Sequence, residues 1–417
     1  MKICLVSQTF APQDEGGAEI SSRHAAQNLS LRHDVVVLAL GLATAKNCAP
    51  AEHPIDAPYR LVRVNYRNSY LPGPGRPVVG KLTKIQWHLR NAIGAVDPQD
   101  LRHFFRSEKF DLIYAQNAAR LQPALYDVAA ELGIPVCQHL RDYALLCPRT
   151  SMYRGQANCK KPCSTCSLLT LRARRATRSV KSVIAVSDFV KQRFRANGLF
   201  PDANWHVLHN TNMAQADLNA ELLAKRPDQA GQFTIGFLGG LTPEKGVEQL
   251  VRAFCRLPAN LPAQLILAGR GQTDFIGRLQ QQIAASAKAD HVIWPGHVQP
   301  ETVFSKVDVM IVPSLWHEPQ SRVLVESAIY GVPVIAANTG GSPEVVDGYR
   351  TGWTYPADDP DALFAMLSRA VRYGAAGWRQ AVPDLFPGLA GFKGSAEDTG
   401  YYMRLENVLL AAARNGL

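Results

Sequence analysis

Long apolar runs are missing from this sequence. No stretch reaches the roughly 18 residues a membrane-spanning helix needs, so no helical span is expected. Charge is also thin. Only 19% of residues are Asp, Glu, Lys or Arg, against 47% hydrophobic ones, a balance that excludes global disorder. The opening segment Met1–Ser7 carries one basic residue and a very short apolar stretch. It lacks the core and cleavage site of a signal peptide and reads as a buried strand, so a cytoplasmic location is expected. No Gly-x-Gly-x-x-Gly follows that strand, which argues against a nicotinamide dehydrogenase. No Gly-x-Ser-x-Gly elbow occurs, which argues against an α/β hydrolase. Low-complexity tails and short-period repeats are absent too.

What is present is alternation. The chain has 417 residues, too many for one ordinary core and suited to two domains of about 200 residues each. Short Val- and Ile-rich runs recur at Ile3–Ser7, Val35–Leu40, Leu61–Val64, Leu112–Tyr114, Ile134–His139, Val183–Val186 and His206–Leu208. After a polar stretch they resume at Thr234–Leu238, Gln264–Ala268, Val292–Trp294, Val309–Val312 and Val332–Ala336. Runs of this kind, little alternated and separated by helical patterns, predict parallel strands covered on both faces and joined by right-handed crossovers. The fold class is therefore α/β, with two doubly wound parallel sheets. Thr211–Gln232, polar and containing Pro227, reads as the linker between them. Near the end, Tyr401, Leu405, Val408 and Leu409 stand at helical spacing.

The strongest constellation runs from His317-Glu318-Pro319-Gln320-Ser321-Arg322 to Glu326, after the strand Val309–Val312. Glu318 and Glu326 would lie about 80° apart on a continuous helix, so Glu318 is expected in a loop and Glu326 inside the helix Gln320–Tyr330. The first amides of that helix, around Ser321, Arg322 and Val323, would then form an anion site suited to a diphosphate. Glu326 could accept hydrogen bonds from two ribose hydroxyls. Upstream, Gly239-Gly240-Leu241-Thr242-Pro243-Glu244-Lys245-Gly246 closes a strand with glycines and supplies a cation at Lys245. Downstream, Thr339-Gly340-Gly341-Ser342-Pro343-Glu344 does the same before another helix. All three segments follow strands, at the edge where open α/β sheets bind ligands.

Together these motifs resemble glycosyltransferase family 4. The likeness also takes in Gly331-Val332-Pro333 and, in the first half, Gly16-Gly17-Ala18-Glu19, Ser187-Asp188-Phe189-Val190 and His209-Asn210. It covers nearly the whole chain. It implies the GT-B fold, with two facing Rossmann-like domains at 1–212 and 213–390 and a final segment, 391–417, whose helix crosses back to the first. It implies a retaining hexosyltransferase with a UDP- or GDP-sugar donor on the second domain, a glycan or lipid-linked acceptor on the first, and no bound metal required for catalysis. By position, Lys245 would bind the diphosphate, Glu326 the ribose and Glu318 the sugar hydroxyls, with Gly16 and Gly17 approaching from the opposite wall. The sequence departs from the family at two places. Gly240 stands where an Arg is common, leaving a diphosphate contact to Arg322 or Arg270. Arg141-Asp142-Tyr143 replaces His-Asp-Tyr, so the sugar contact there differs.

Other features are more open. Cys147, Cys159, Cys163 and Cys166 are spaced as a loop cluster that could hold a structural zinc, with free or oxidisable thiols as the alternative. Asp359-Pro360-Asp361 imitates a metal motif but reads as a helix cap. The net charge of +10 divides as +12 in residues 1–220 and −2 in the remainder, with Arg172, Arg174, Arg175, Arg178 and Lys181 densest. An anionic membrane surface or an acidic acceptor would match that excess, as would a solvated helix face. No nucleic-acid recognition motif accompanies it. The expected activity is sugar transfer in bacterial polysaccharide or lipid-linked glycan biosynthesis. The rivals are a nucleotide-sugar epimerase on the same fold and a non-catalytic sugar- or nucleic-acid-binding protein.

Overall fold

The computed structural model describes residues 1–10, 17–42, 51–53, 56–69, 79–210, 231–359, 361–392 and 394–414. The chain divides into two compact units. One comprises Met1–Met152, Cys159–His209 and Thr399–Leu417; the other comprises Tyr153–Asn158 and Asn210–Asp398.

The first unit is built on β1 (Lys2–Val6), β2 (Asp34–Leu42), β3 (Ala51–His53), β4 (Arg60–Tyr66), β5 (Leu112–Ala115), β6 (Val136–Leu140), β9 (Ser182–Ala185) and β10 (Asn204–Val207). Their order in the sheet is β10-β9-β6-β5-β1-β2-β4-β3. All pair in parallel except β3, which runs antiparallel to β4. The chain winds outward from β1 through β2 to β4, then returns to β5 and winds the other way. The reversal lies between β1 and β5, where Ile3 is in register with Leu112. Ile3, Leu5, Val35, Val37, Leu112 and Tyr114 form one core cluster with Tyr401, Leu405 and Leu409 of the helix Gly394–Arg414. The last helix thus packs on the first sheet; the apolar spacing near the end predicts the helix, and the family resemblance its destination.

The second unit carries β11 (Phe233–Leu238), β12 (Ala263–Ala268), β13 (Val292–Gly296), β14 (Val309–Val312), β15 (Val334–Ala337) and β16 (Gly352–Tyr355). They form an all-parallel sheet in the order β13-β12-β11-β14-β15-β16. Here the reversal lies between β11 and β14. A cluster including Phe233, Ile235, Leu265, Leu267, Trp378 and Phe386 fills its core. The buried Asp308 is fully engaged: it accepts from Thr234 N at 2.8 Å and Arg379 Nε at 3.0 Å, while its carbonyl accepts from Trp378 Nε1 at 2.9 Å. A buried carboxylate without such partners would cost several kcal/mol (about 3–5).

Every apolar run read as a strand forms one. Four strands escape that reading. β16 is a half-buried edge strand, β3 is three residues long, and β7 (Tyr153–Arg154) and β8 (Ala157–Asn158) form a two-residue-per-strand hairpin without an apolar face. Of the expected linker, residues 211–230 lie outside the described residues. Among the described residues no helix is long and apolar enough to cross a membrane.

Candidate functional site

In the second unit the reversal between β11 and β14 brings two loops together at the carboxyl ends of the strands, where a crevice forms in open α/β sheets. The loop after β11 ends in a short turn, Pro243–Lys245, closed by Gly246 at φ +71°. A Cβ at Gly246 would lie 1.8 Å from the carbonyl oxygen of Pro313, so only glycine allows the two loops this approach. The contact continues as Leu315 N donates to Glu244 O at 2.9 Å. From the far side, Gly340 at φ +57° comes so close that a Cβ would stand 2.0 Å from Glu318 O, and Gly341 N donates to that oxygen at 2.9 Å. Thr339 Oγ1 donates to Ser314 O at 2.9 Å.

These constraints fix one carboxylate. Glu318 lies in the loop, as the helical angle predicts, and is buried. Lys245 Nζ donates to its Oε1 at 2.6 Å and Ser314 Oγ to its Oε2 at 2.7 Å. The Lys245 ammonium also sits 5.6 Å from the centroid of the Trp316 ring, within cation–π range. Lys245 is the more exposed partner, at 27% of its side chain against 10% for Glu318. The pair can therefore offer an ammonium to an anion and a fixed acid to hydroxyl groups. The sequence pointed to both residues; Ser314, which orients the acid, carried no signal beyond its place in a turn.

A second side chain holds the same loop. Asn158 Nδ2 donates to Leu315 O at 2.8 Å, and His317 N donates to Asn158 Oδ1 at 2.7 Å.

The helix after this loop spans Arg322–Ile329, with Ser321 as its extended N-cap. It begins two residues later than the expected Gln320, whose side-chain Oε1 accepts from Asn210 N at 2.6 Å. Ser321 makes no side-chain cap bond, and the amides of Arg322 and Val323 open the helix. Glu326 is buried inside the helix and pairs with Arg322 at 3.0 Å. Burial pushes its carboxyl above the usual range, with Arg322 opposing the shift. Around the first loop, Leu241 N donates to Arg270 O at 2.7 Å, which places exposed Arg270 beside Gly240. A Cβ at Gly240 would meet nothing nearer than Thr242 Cγ2 at 3.8 Å.

In the first unit the strand ends after β1, β5 and β6 carry a polar network. Gly16 lies outside the described residues, while Gly17 opens the helix Gly17–Leu29. Glu19 in its first turn accepts from the Thr9 hydroxyl and from Asn117 Nδ2 at 2.9 Å. Gln8 Nε2 donates to Asn117 Oδ1 at 2.7 Å. Arg141 Nε donates to Gln116 Oε1 at 2.8 Å. His139 is fully buried against Tyr114 at 2.7 Å, and burial with Arg141 nearby holds its imidazole neutral. Asp142 accepts from Ala144 N at 2.8 Å, and burial raises its carboxyl from 3.8 to about 6. Arg141 and Asp142 line one cavity of this unit; a second is lined by Trp87, His88, Arg120, Leu169 and Thr170. Ser187 caps the helix Asp188–Arg195 through Val190 N at 3.3 Å.

The loop cysteines fall partly together. Cys147 and Cys166 have sulfurs 3.7 Å apart, Cys163 stands at the N-cap position of the helix Ser164–Ala176 without a side-chain cap bond, and burial followed by the neighbouring thiols pushes Cys166 up to about 12. Among the described residues no three His, Cys, Asp or Glu side chains are placed to hold a metal ion.

Two family models match the chain: a glycosyl transferase 4-like domain over residues 16–211 and glycosyl transferases group 1 over residues 232–372. An uncharacterised 42.6 kDa protein in the cps region of Klebsiella pneumoniae is 25% identical over 83% of this chain and 87% of its own length. A GDP-mannose-dependent phosphatidylinositol monomannoside mannosyltransferase of Mycobacterium tuberculosis is 30% identical over 47% of this chain and 55% of its own. Among solved structures, sucrose-phosphate synthase from Thermosynechococcus elongatus superposes with a TM-score of 0.72 at 18% identity, covering 99% of both chains. Anabaena HepE in complex with UDP-glucose superposes at 0.62 with 20% identity, covering 96% of this chain and 99% of that one.

Proposed function

From the premise that this chain is a glycosyltransferase of family 4 with the GT-B fold, we propose that it transfers a hexose from a nucleoside diphosphate sugar to a glycan or lipid-linked acceptor, with retention at the anomeric carbon. The observation that carries the reading is the Lys245–Glu318 pair seated at the reversal of the second sheet, 2.6 Å apart. An ammonium there suits a diphosphate, and a buried, oriented carboxylate suits sugar hydroxyls. The helix Arg322–Ile329 would add its opening amides to the diphosphate, and Glu326 would reach the ribose from the same helix. A UDP-sugar is the first donor to test, because a structural neighbour holds UDP-glucose; a GDP-sugar is the second, on the mannosyltransferase relative.

In the proposed step the acceptor oxygen bonds to the anomeric carbon on the face from which the diphosphate departs. The carbon–oxygen bond to the leaving group breaks with its electron pair going to the diphosphate, and a phosphate oxygen takes the acceptor proton. Lys245 stabilises the charge that gathers on that oxygen. This route runs on the chain's own residues, and transfer is expected to persist undiminished in a chelator. The acceptor is assigned to the first unit, where Arg120, Trp87 and His88 line a pocket. Polysaccharide or lipid-linked glycan assembly is the proposed pathway class, supported by the Klebsiella relative in a cps region.

A thermal-shift panel of nucleoside diphosphates and their sugars tests the donor site, because a ligand that binds only the folded state raises the melting temperature. The expected result is a shift for one nucleotide series that Lys245→Ala and Glu326→Ala each largely abolish. Shifts unchanged in both variants would sink the site. Formation of an epimerised sugar without acceptor would favour the epimerase reading instead.

A membrane surface is proposed as partner of the first unit. The helix Lys81–Ile93 buries only Trp87 and exposes Leu82, Ile85, Leu89 and Ile93, at 77, 55, 49 and 69%. Their spacing puts them on one stripe. Lys81 and Arg90 flank it, and exposed Leu168, Leu171, Arg172 and Arg175 lie on the helix Ser164–Ala176, which packs against the first. Apolar side chains bordered by cations suit an anionic lipid headgroup region. Sedimentation with vesicles should show binding that grows with anionic lipid and falls in an Ile85→Glu, Leu89→Glu variant. Equal binding to neutral and anionic vesicles would remove the proposal.

A further inference from the structure

The site loop Pro313–Gln320 is held by neighbours from its own half of the sequence and also by a side chain from the other half. The hairpin β7–β8 turns through Gly155 and Gln156, both at positive φ (58° and 63°), and ends at Asn158. It belongs to the second unit although the residues on either side of it, Met152 and Cys159, belong to the first. At its base Cys159 N donates to Met152 O at 2.7 Å. The Asn158 amide both donates and accepts, so it pairs with Leu315 O and His317 N as a neighbouring strand would. The next peptide begins Glu318, whose N donates back to Trp316 O at 2.7 Å. The Leu315–His317 backbone that Asn158 grips therefore leads directly into the carboxylate that Lys245 and Ser314 engage.

We propose that Asn158 is a positioning residue for Glu318: its amide fixes the Leu315–His317 backbone and thereby aims the Glu318 carboxylate. The role rests on the reading of Glu318 as a group that holds the transferred sugar. A positioning error of about 1 Å in such a site can cost about a hundredfold in rate. Asn158 makes no bond to the Arg322–Ile329 helix or to Glu326, so nucleoside diphosphate affinity depends on it little.

Two variants test this. Asn158→Ala removes both bonds. Asn158→Asp keeps the shape and the acceptor for His317 N but puts an oxygen against Leu315 O. With a UDP- or GDP-sugar as donor, kcat is expected to fall at least tenfold in both, while the Kd of the free nucleoside diphosphate stays within twofold and the melting temperature changes little. Amide hydrogen exchange across residues 314–318, measured without any ligand, is expected to quicken in both variants. Unchanged kcat with a folded Asn158→Ala protein would overturn the proposal. So would a parallel loss of nucleotide affinity and melting temperature, which would make Asn158 merely structural. Exchange that stays at the wild-type rate would overturn the positioning itself. If the wild-type protein transfers no sugar and binds no nucleoside diphosphate, while exchange quickens as expected, the functional reading fails and the loop restraint stands.

Discussion

At the residue scale, the chemistry rests on a few side chains held between loops. Lys245 and Glu318 form a pair in which the acid is buried and the base half open. Removing one partner of such a pair strands the other, so Lys245→Ala should damage more than diphosphate contact alone. A fall in kcat/KM of about 10²–10³, the range for losing one preorganised donor to a leaving charge, is expected in steady-state transfer assays. Glu318→Gln keeps the shape but loses the ion pair to Lys245, and its effect should be larger on sugar-dependent steps than on diphosphate binding. Asp142 gives a prediction in pH. Its carboxyl is raised from 3.8 to about 6 by burial. Between those values the folded chain keeps a proton that the unfolded chain has released. Stability therefore falls as pH rises through that window and is level above it, by about 3 kcal/mol at most. Asp142→Asn removes the group. Denaturation curves from pH 4 to 7 should show the wild type losing stability relative to the variant up to about pH 6, and parallel behaviour beyond. A constant difference across the range would contradict the shift.

At the element scale, the loops depend on close backbone approach. Gly246 touches Pro313 with no room for a side chain, at a φ that L-residues seldom adopt. Gly246→Ala should cost about 1–3 kcal/mol, the range for such a strained backbone, and should loosen the Lys245 turn as well. Equilibrium unfolding in urea reads the first and nucleotide binding the second. Much at this scale was legible in the sequence. The Val- and Ile-rich runs marked every long strand, and the angular spacing of Glu318 and Glu326 placed one in a loop and one in a helix. What was not legible was short or tertiary. The hairpin Tyr153–Asn158 has no apolar alternation to reveal it; its Gly155 hints at a turn, but nothing local says that Asn158 reaches residues 315 and 317. The helix Arg322–Ile329 starts two residues late, and the Gln320 side chain ahead of it serves the distant amide of Asn210, a partner that no window of local sequence contains.

At the scale of the whole molecule, sequence order and spatial membership diverge. The second unit takes six residues from within the first half, and the first unit takes back the segment from Thr399 onward. The apolar spacing of Tyr401, Leu405 and Leu409 foretold a helix, and the family resemblance foretold its destination; composition alone gave neither. Because these residues are part of the first sheet's core, a chain cut after Asp398 should expose that core. Limited proteolysis should then degrade residues 1–209 quickly, while the 210–398 region resists.

The same closing helix dictates an order of events during synthesis. The residues of the second unit are all synthesised before the core residues of the closing helix, so the first unit waits longest for its last apolar staves. The half of the sequence made first is therefore the half whose core is completed last.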